Sequence, residues 1–106
     1  MTPDDLAARL RAGTAPVVLD VRSAEEYADG HIPGAVNIPF WRIVAGAAPE
    51  ATPKHAPVLV YCGHGPRARI AMLGLRARGF KVLDDLDGHW AAWTHLKLPV
   101  TRGRRP

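Results

Sequence analysis

The single cysteine of the chain, Cys62, opens the segment Cys-Gly-His-Gly-Pro-Arg at residues 62–67. The apolar run 58–61 precedes it and a helical pattern over 67–78 follows it. A strand that leads through a short glycine-rich loop into a helix surrounds the cysteine sulfur with backbone N–H groups at a helix N-terminus. Such a place stabilises a thiolate, or the anion of a sulfur atom attached to it. A buried structural thiol is the alternative, and the glycines and arginine directly behind the cysteine disfavour it.

Strand and helix patterns alternate along the rest of the chain. Thr2 and Pro3 begin a helix that Gly13 ends, and a capping box at residues 23–26 begins a short helix that ends near Gly30. Further helices are predicted at 67–78 and 90–96, and residues 41–57 are the least regular part. Strands are predicted at 17–21, 35–39, 58–61 and 81–84. This order indicates an α/β domain with a mostly parallel sheet and helices on both faces.

The functional site of a parallel sheet lies beyond the carboxyl ends of its strands. Arg22 follows the first predicted strand, Cys62 follows the central one, and the residues after Leu86 follow the last. We therefore expect these three parts of the chain to meet at one rim of the sheet, although they are far apart in sequence.

Three separated segments of the chain resemble the single-domain rhodanese-like sulfurtransferase family. The first runs from Leu19-Asp20-Val21-Arg22 through Glu26-Tyr27 to residues 30–39, the second covers 61–68, and the third covers 86–93 and closes at 98–100. The resemblance implies a three-layer α/β domain over residues 1–100, with a central sheet of about five strands, followed by a basic tail at 101–106. The family's small first strand is expected to be absent or reduced to Met1 and Thr2.

The resemblance also implies a reaction by double displacement. The Cys62 thiolate takes a sulfane sulfur from a donor such as thiosulfate, and the resulting persulfide passes it to a thiophilic acceptor such as cyanide or a thiol. No metal and no organic cofactor is implied. Because the chain has no second cysteine, the persulfide cannot be resolved into an internal disulfide, so an external acceptor must take the sulfur.

The loop residues Gly63, His64, Gly65, Pro66 and Arg67 are the expected substrate-binding residues. Four residues separate the cysteine from the arginine, whereas tyrosine-phosphatase-like loops on related folds have five. The smaller ring resembles the sulfurtransferase loop, and its proline removes one N–H donor that a phosphoryl group would use. The arginine either binds an anionic donor, which we favour slightly, or ties the loop to the domain. The histidine either contacts substrate or is an exposed loop residue, and the second is favoured.

Asp20, Arg22, Gly88 and His89 are the expected supporting residues. The aspartate and the arginine match the family signature and are expected to order nearby loops by hydrogen bonds. His89 stands where the family often has a second glycine, which changes the shape and charge of a loop that borders the site. The residue after the cysteine is glycine, where many thiosulfate-using members have arginine, and this predicts weak affinity for thiosulfate.

The formal net charge of +4 does not indicate a nucleic-acid partner. Three of the arginines lie in the tail at 101–106; without them, 11 basic residues balance 10 acidic ones. A short basic tail is typically a frayed, solvated end, and no recognition motif or basic stripe accompanies it. Eleven of the 14 basic residues are arginine, which is compatible with a GC-rich bacterial source.

One cysteine excludes an intrachain disulfide and a cysteine-rich zinc site, and a reducing cytoplasm is the natural setting for it. No segment has the length of a membrane span, and the first residues do not resemble a secretion signal, so no membrane partner is expected. Two other functions stay open: a relay module that delivers persulfide sulfur to a partner protein, and a rhodanese-like binding domain without catalysis. The sequence indicates no oligomeric state.

Overall fold

The structure, a computed structural model, describes all residues from 1 to 106. It contains five helices and four strands, which alternate in part along the chain. In chain order they are α1 (Pro3–Ala12), β1 (Val17–Asp20), α2 (Ala24–Asp29), β2 (Val36–Asn37), α3 (Phe40–Val44), β3 (Val58–Tyr61), α4 (Pro66–Ala77), β4 (Leu83–Asp85) and α5 (His89–His95).

The four strands form one parallel sheet in the order β2-β1-β3-β4. The register of the two central strands pairs Val17 with Val58 and Asp20 with Tyr61, so that both strands end at the same rim. The α/β class and the parallel sheet are therefore confirmed. The sheet has four strands where about five were expected. At its β4 edge a single residue, Met1, takes the place of a further strand: its amino group donates to the Asp85 carbonyl, and its own carbonyl accepts from the Asp87 N–H.

Side chains that alternate along the strands divide the core into two clusters, one on each face of the sheet. Val18 and Leu59 face one cluster, with side chains from α1, α2 and α5. Leu19 and Val60 face the other, with side chains from α3 and α4. The predicted helices on both faces are thus present, and the central strand β3 is buried along its whole length.

The capping signals place two helix starts as predicted. The Thr2 hydroxyl accepts the Asp5 N–H, with Pro3 as the first residue of α1, and Gly13 ends that helix in a left-handed conformation. At α2 the capping box forms in both directions: Ser23 Oγ accepts the Glu26 N–H, and the Glu26 carboxylate accepts the Ser23 N–H.

Three predicted elements are shifted, and one of them is α4, which covers Pro66–Ala77 instead of 67–78. The last strand covers Leu83–Asp85 instead of 81–84, because the Lys81 N–H bonds the Lys54 carbonyl before the pairing with β3 begins at Leu83. The last helix begins at His89, one residue before the predicted start.

The basic tail is attached to the domain at its first residues. Thr101 and His31 exchange two backbone hydrogen bonds, and the Gly103 N–H donates to the Ala28 carbonyl. The expectation of a frayed tail is therefore wrong at these two positions, since their backbone groups find partners in α2 and in the α2–β2 connection. None of the helices has both the length and the apolar character that crossing a bilayer requires.

Candidate active site

Cys62 lies directly after β3, at the carboxyl rim of the sheet. Cys62 is 1% exposed, and its side chain packs in the core cluster that contains side chains of α3 and α4. The sulfur nevertheless has a polar partner, because the Gly65 N–H donates to Cys62 Sγ over 3.0 Å. A backbone N–H directed at the sulfur is the contact that stabilises negative charge there.

Gly65 owes this position to a backbone conformation that suits only glycine. Its φ of 134° and ψ of −42° turn the chain back over the sulfur, and α4 begins at the next residue, Pro66. The Gly65 carbonyl then accepts the Arg69 N–H in the first turn of α4. The loop therefore closes on the sulfur and enters the helix within four residues, as the sequence predicted for a strand–loop–helix unit.

The beginning of α5 holds the other side of the loop. The Cys62 carbonyl accepts the Trp90 N–H over 3.0 Å, and the Gly63 carbonyl accepts the Ala91 N–H over 3.2 Å. In addition, Nδ1 of His89 accepts the Cys62 N–H over 3.3 Å. Three hydrogen bonds thus join the first turn of α5 to the two residues that begin the loop.

Gly88 allows α5 to begin directly after it. Its φ is 71°, and a Cβ atom on it would lie 2.5 Å from the Ala92 Cβ, a distance that no folded chain accommodates without a backbone shift. His64, in contrast, is an exposed residue of the loop. This agrees with the favoured interpretation, in which the histidine has no contact with substrate.

The Arg67 side chain reaches α2 instead of the mouth of the loop. Its two terminal nitrogens bind the Glu26 carboxylate over 2.6 and 3.1 Å. The hydrogen bond from Arg67 lowers the pKa of Glu26 to about 2. The guanidinium also lies beside Gly63, since a Cβ atom there would meet it at 3.2 Å. This geometry favours the loop-tying role of the arginine over the donor-binding role.

Asp20 and Arg22 lie within the protein as a buried ion pair, with Arg22 Nη2 2.7 Å from Asp20 Oδ2. Tyr61, at the end of β3, donates its hydroxyl hydrogen to the same carboxylate oxygen over 2.7 Å. Burial and the nearby Asp20 charge raise the pKa of Tyr61, so that this hydroxyl stays protonated.

The Arg22 guanidinium links this network to the neighbouring loops. It donates to the Gly30 carbonyl over 2.7 Å and lies 4.5 Å from the centre of the Trp90 ring. The Tyr61 hydroxyl also accepts the Ile32 N–H. Asp20 and Arg22 therefore order the loops around the rim through hydrogen bonds, and neither contacts the Cys62 sulfur.

Larger surface cavities lie away from Cys62. A cavity of about 480 Å³ is lined in part by Pro16 and Val17 at the amino ends of the strands, and one of about 620 Å³ extends from the same two residues along β2.

The profile of the Rhodanese-like domain family matches residues 2–96. The chain belongs to the rhodanese-like domain family. The match covers every helix and strand, and it includes the Cys62 loop and the first turns of α5.

Relatives of this rhodanese-like domain include the Thiosulfate sulfurtransferase GlpE of Pseudomonas putida (strain GB-1), which is 33% identical over 94 residues, covering 86% of this chain and 81% of that protein. The chloroplastic Rhodanese-like domain-containing protein 15 of Arabidopsis thaliana is 30% identical over 92 residues, covering 77% of this chain. The chain spans only 50% of the length of that plant relative. A crystal structure of the Alr3790 protein from Anabaena sp. superposes with a TM-score of 0.85 and 31% identity, covering 96% of this chain and 91% of that one.

Three residues join this rhodanese-like site that the sequence analysis did not assign to it. Glu26 was assigned to the capping box and to the first family-like segment without a role at the site, and its position in the first turn of α2 also directs it at Arg67. Tyr61 was assigned to the central strand and to the second family-like segment, without a role of its own at the site. Asp85, at the end of β4, places Oδ2 3.5 Å from His89 Nε2. The position of each of these residues near a strand end or a helix start was the available signal.

Proposed function

We propose that this protein is a sulfurtransferase that carries a sulfane sulfur atom as a persulfide on Cys62. The observation that carries the proposal is the Gly65 N–H directed at Cys62 Sγ over 3.0 Å, in a loop that ends at the start of α4. A thiolate or persulfide anion at this place is stabilised by that N–H group and by the amino end of a 12-residue helix.

In the first half of the reaction, the Cys62 thiolate attacks the outer sulfur of a donor such as thiosulfate. A new S–S bond forms on the cysteine, the S–S bond of thiosulfate breaks, and sulfite leaves with that electron pair. In the second half, an acceptor such as cyanide or a thiolate attacks the outer sulfur of the persulfide. The S–S bond breaks and the electron pair returns to Cys62 as a thiolate.

The size of the loop supports sulfur over phosphate. Only Gly63, His64, Gly65 and Pro66 separate Cys62 from Arg67, and the proline offers no N–H. Moreover, the Arg67 guanidinium is already engaged by Glu26, whereas phosphoryl transfer requires donors free to neutralise three equatorial oxygens. A single added sulfur atom requires fewer hydrogen-bond donors from the loop than a phosphoryl group does.

The donor and acceptor are proposed by chemical class. The relative from Pseudomonas putida is named a thiosulfate sulfurtransferase, which supports thiosulfate as one donor. Gly63 supplies no positive charge beside the cysteine, so we expect weak affinity for that dianion and faster turnover with a less charged donor such as mercaptopyruvate. Since the persulfide has no resolving cysteine within the chain, its acceptor is either a small thiophile or a partner protein, in a reducing compartment such as the cytoplasm.

Steady-state kinetics with thiosulfate, mercaptopyruvate and polysulfide as donors, and cyanide or dithiothreitol as acceptor, test the proposal. We expect parallel double-reciprocal lines, the pattern of a substituted-enzyme mechanism, and no turnover by Cys62→Ser. Phosphatase activity on an aryl phosphate is the matched alternative reaction. Phosphatase turnover that requires Cys62 and exceeds sulfur transfer would contradict the proposal, and no turnover with any donor would favour a binding domain.

A further inference from the structure

His89 has a left-handed backbone conformation, which is strained for residues other than glycine. Its φ is 54°, and it directly follows Gly88, which also has a positive φ. A residue other than glycine is uncommon in the left-handed region, and strained backbone of this kind persists where surrounding contacts hold it. The side chain of His89 is nearly buried, with 7% of its surface exposed.

The imidazole ring lies along the Cys62 loop and touches it at both ends. Nδ1 accepts the Cys62 N–H over 3.3 Å. Nε2 lies on the Gly65 side, because a Cβ atom on Gly65 would meet it at 3.4 Å. The ring therefore supports the two loop residues between which the sulfur contact forms, Cys62 and the N–H donor Gly65.

We propose that His89 is a positioning residue whose neutral imidazole, with its proton on Nε2, holds the Cys62 amide so that the loop stays closed on the sulfur. An N–H group needs an acceptor opposite it, and Nδ1 accepts only when it carries no proton. Protonation would place two donors against each other at this contact and release the loop. The histidine acts through the Cys62 backbone and takes no part in moving the sulfur itself.

Charged groups on the neighbouring elements shift the pKa of the His89 imidazole. Asp85 at the end of β4 lies 3.5 Å from Nε2, and Asp87 lies in the next connection; both favour the charged ring. Arg69 on α4 disfavours it. Burial is the largest influence, and it lowers the pKa of His89 below its ordinary value of 6.5. The ring is accordingly neutral at pH 7, and the Cys62 contact is intact there.

Two substitutions distinguish the effect of the Nδ1 acceptor from the effect of the left-handed backbone at residue 89. His89→Gly removes the ring and adopts the left-handed backbone without strain. His89→Asn keeps an acceptor in the place of Nδ1, because its Oδ1 is bonded to Cγ as Nδ1 is, and asparagine tolerates the left-handed region. Neither variant titrates near neutral pH.

The kinetic arm of the test rests on the proposed function. We expect His89→Gly to lower kcat/KM for sulfur transfer about tenfold, which corresponds to one lost hydrogen bond of about 1.4 kcal/mol. His89→Asn should lie closer to wild type than to His89→Gly. The activity of wild type should fall as the pH drops below 6.5, and this decrease should be absent from the pH profiles of both variants. Equal activity of His89→Gly and wild type, with the same pH profile, would overturn the proposal.

A second arm needs no enzymatic activity. NMR of ¹⁵N-labelled wild-type protein reports which imidazole nitrogen carries the proton, and it follows the Cys62 amide during an acid titration. We expect an unprotonated Nδ1 at pH 7, and a Cys62 amide signal that moves together with the His89 ring signals. A proton on Nδ1 at pH 7 would overturn the inference even if sulfur transfer is active. Absent sulfur transfer with the expected NMR result would instead count against the proposed function alone.

Discussion

Arg67 shows how one side chain distinguishes two accounts of the same loop. Its guanidinium lies between the Glu26 carboxylate and the Gly63 backbone, so it connects α2 to the loop around Cys62. The sequence left donor binding and loop tying open, because a cation at a helix N-terminus requires a compensating anion and the sequence does not show which anion it meets. The structure supplies that anion from α2.

Replacement of Arg67 by alanine should therefore reduce sulfur transfer by a similar factor with every donor. The loss of a partly exposed ion pair should lower the free energy of unfolding by about 1 kcal/mol or less. Donor kinetics and urea unfolding measure the two effects. A rise in KM confined to thiosulfate, with unfolding unchanged, would restore the donor-binding role.

Substitution of Glu26 by glutamine tests the same contact through pH. Glutamine keeps the capping box but removes the charge that Arg67 binds. Because the folded pKa of Glu26 is about 2, below its ordinary 4.5, the ion pair contributes its full stability above pH 4.5 and loses it as the pH falls towards 2. Urea unfolding at pH 7 and near pH 2 should show a wild-type advantage that disappears in acid. An advantage of the same size at both pH values would contradict this account.

At the scale of elements, the loop between β3 and α4 depends on backbone conformation more than on side chains. Gly65 combines a φ of 134° with the N–H that binds the sulfur. An added Cβ would be strained there and would meet His89 Nε2 at 3.4 Å. The sequence predicted this strand–loop–helix unit to within one residue, because the signals for it are local: an apolar run, glycines and a helical pattern after them.

Gly65→Ala should displace the N–H group from Cys62 and lower kcat/KM. Strain of this kind costs about 1–3 kcal/mol. Gly13→Ala, at the end of α1, is the matched control, since it has a φ of 73° and open space around its Cβ position. Both variants should unfold at lower urea concentration, but only Gly65→Ala should lose activity. Equal activity of the two would show that the Gly65 contact is dispensable.

The start of α5 was predicted less well, for a physical reason. The Ala92 N–H donates to the Gly88 carbonyl, so α5 begins at His89, one residue earlier than the sequence indicated, and His89 itself has a left-handed conformation. That conformation arises from long-range contacts: the first turn of α5 binds the carbonyls of Cys62 and Gly63, and His89 binds the Cys62 N–H. Local propensity carries no information about such partners.

At the scale of the whole molecule, a buried polar network joins the sheet to the loops at its rim. Asp20 and Tyr61 end the two central strands, Arg22 reaches the Gly30 carbonyl, and Ile32 donates its N–H to the Tyr61 hydroxyl. The sequence predicted that these strands end at one rim, because that follows from a parallel sheet. It did not predict that Tyr61 joins Asp20, since that contact spans 41 positions of sequence.

Tyr61→Phe should destabilise the fold, because the buried Ile32 N–H and one Asp20 oxygen would lose a partner. The expected cost is about 1–3 kcal/mol, the penalty of an unsatisfied buried group. The persulfide should still form, since the hydrogen bond to the Cys62 sulfur comes from Gly65, outside this network. Thermal unfolding and persulfide loading measure the two properties. Tyr27→Phe, which leaves only the Ala35 carbonyl without its donor, is the control and should be destabilised less.

The central claim is that Cys62 carries the transferred sulfur. Intact mass spectrometry under non-reducing conditions, after incubation with thiosulfate, mercaptopyruvate or polysulfide, tests it most directly. We expect wild type to gain the mass of one sulfur atom, dithiothreitol or cyanide to remove it, and Cys62→Ser to gain nothing. A wild-type protein that stays unmodified with all three donors, or a Cys62→Ser variant that gains the same mass, would contradict the account.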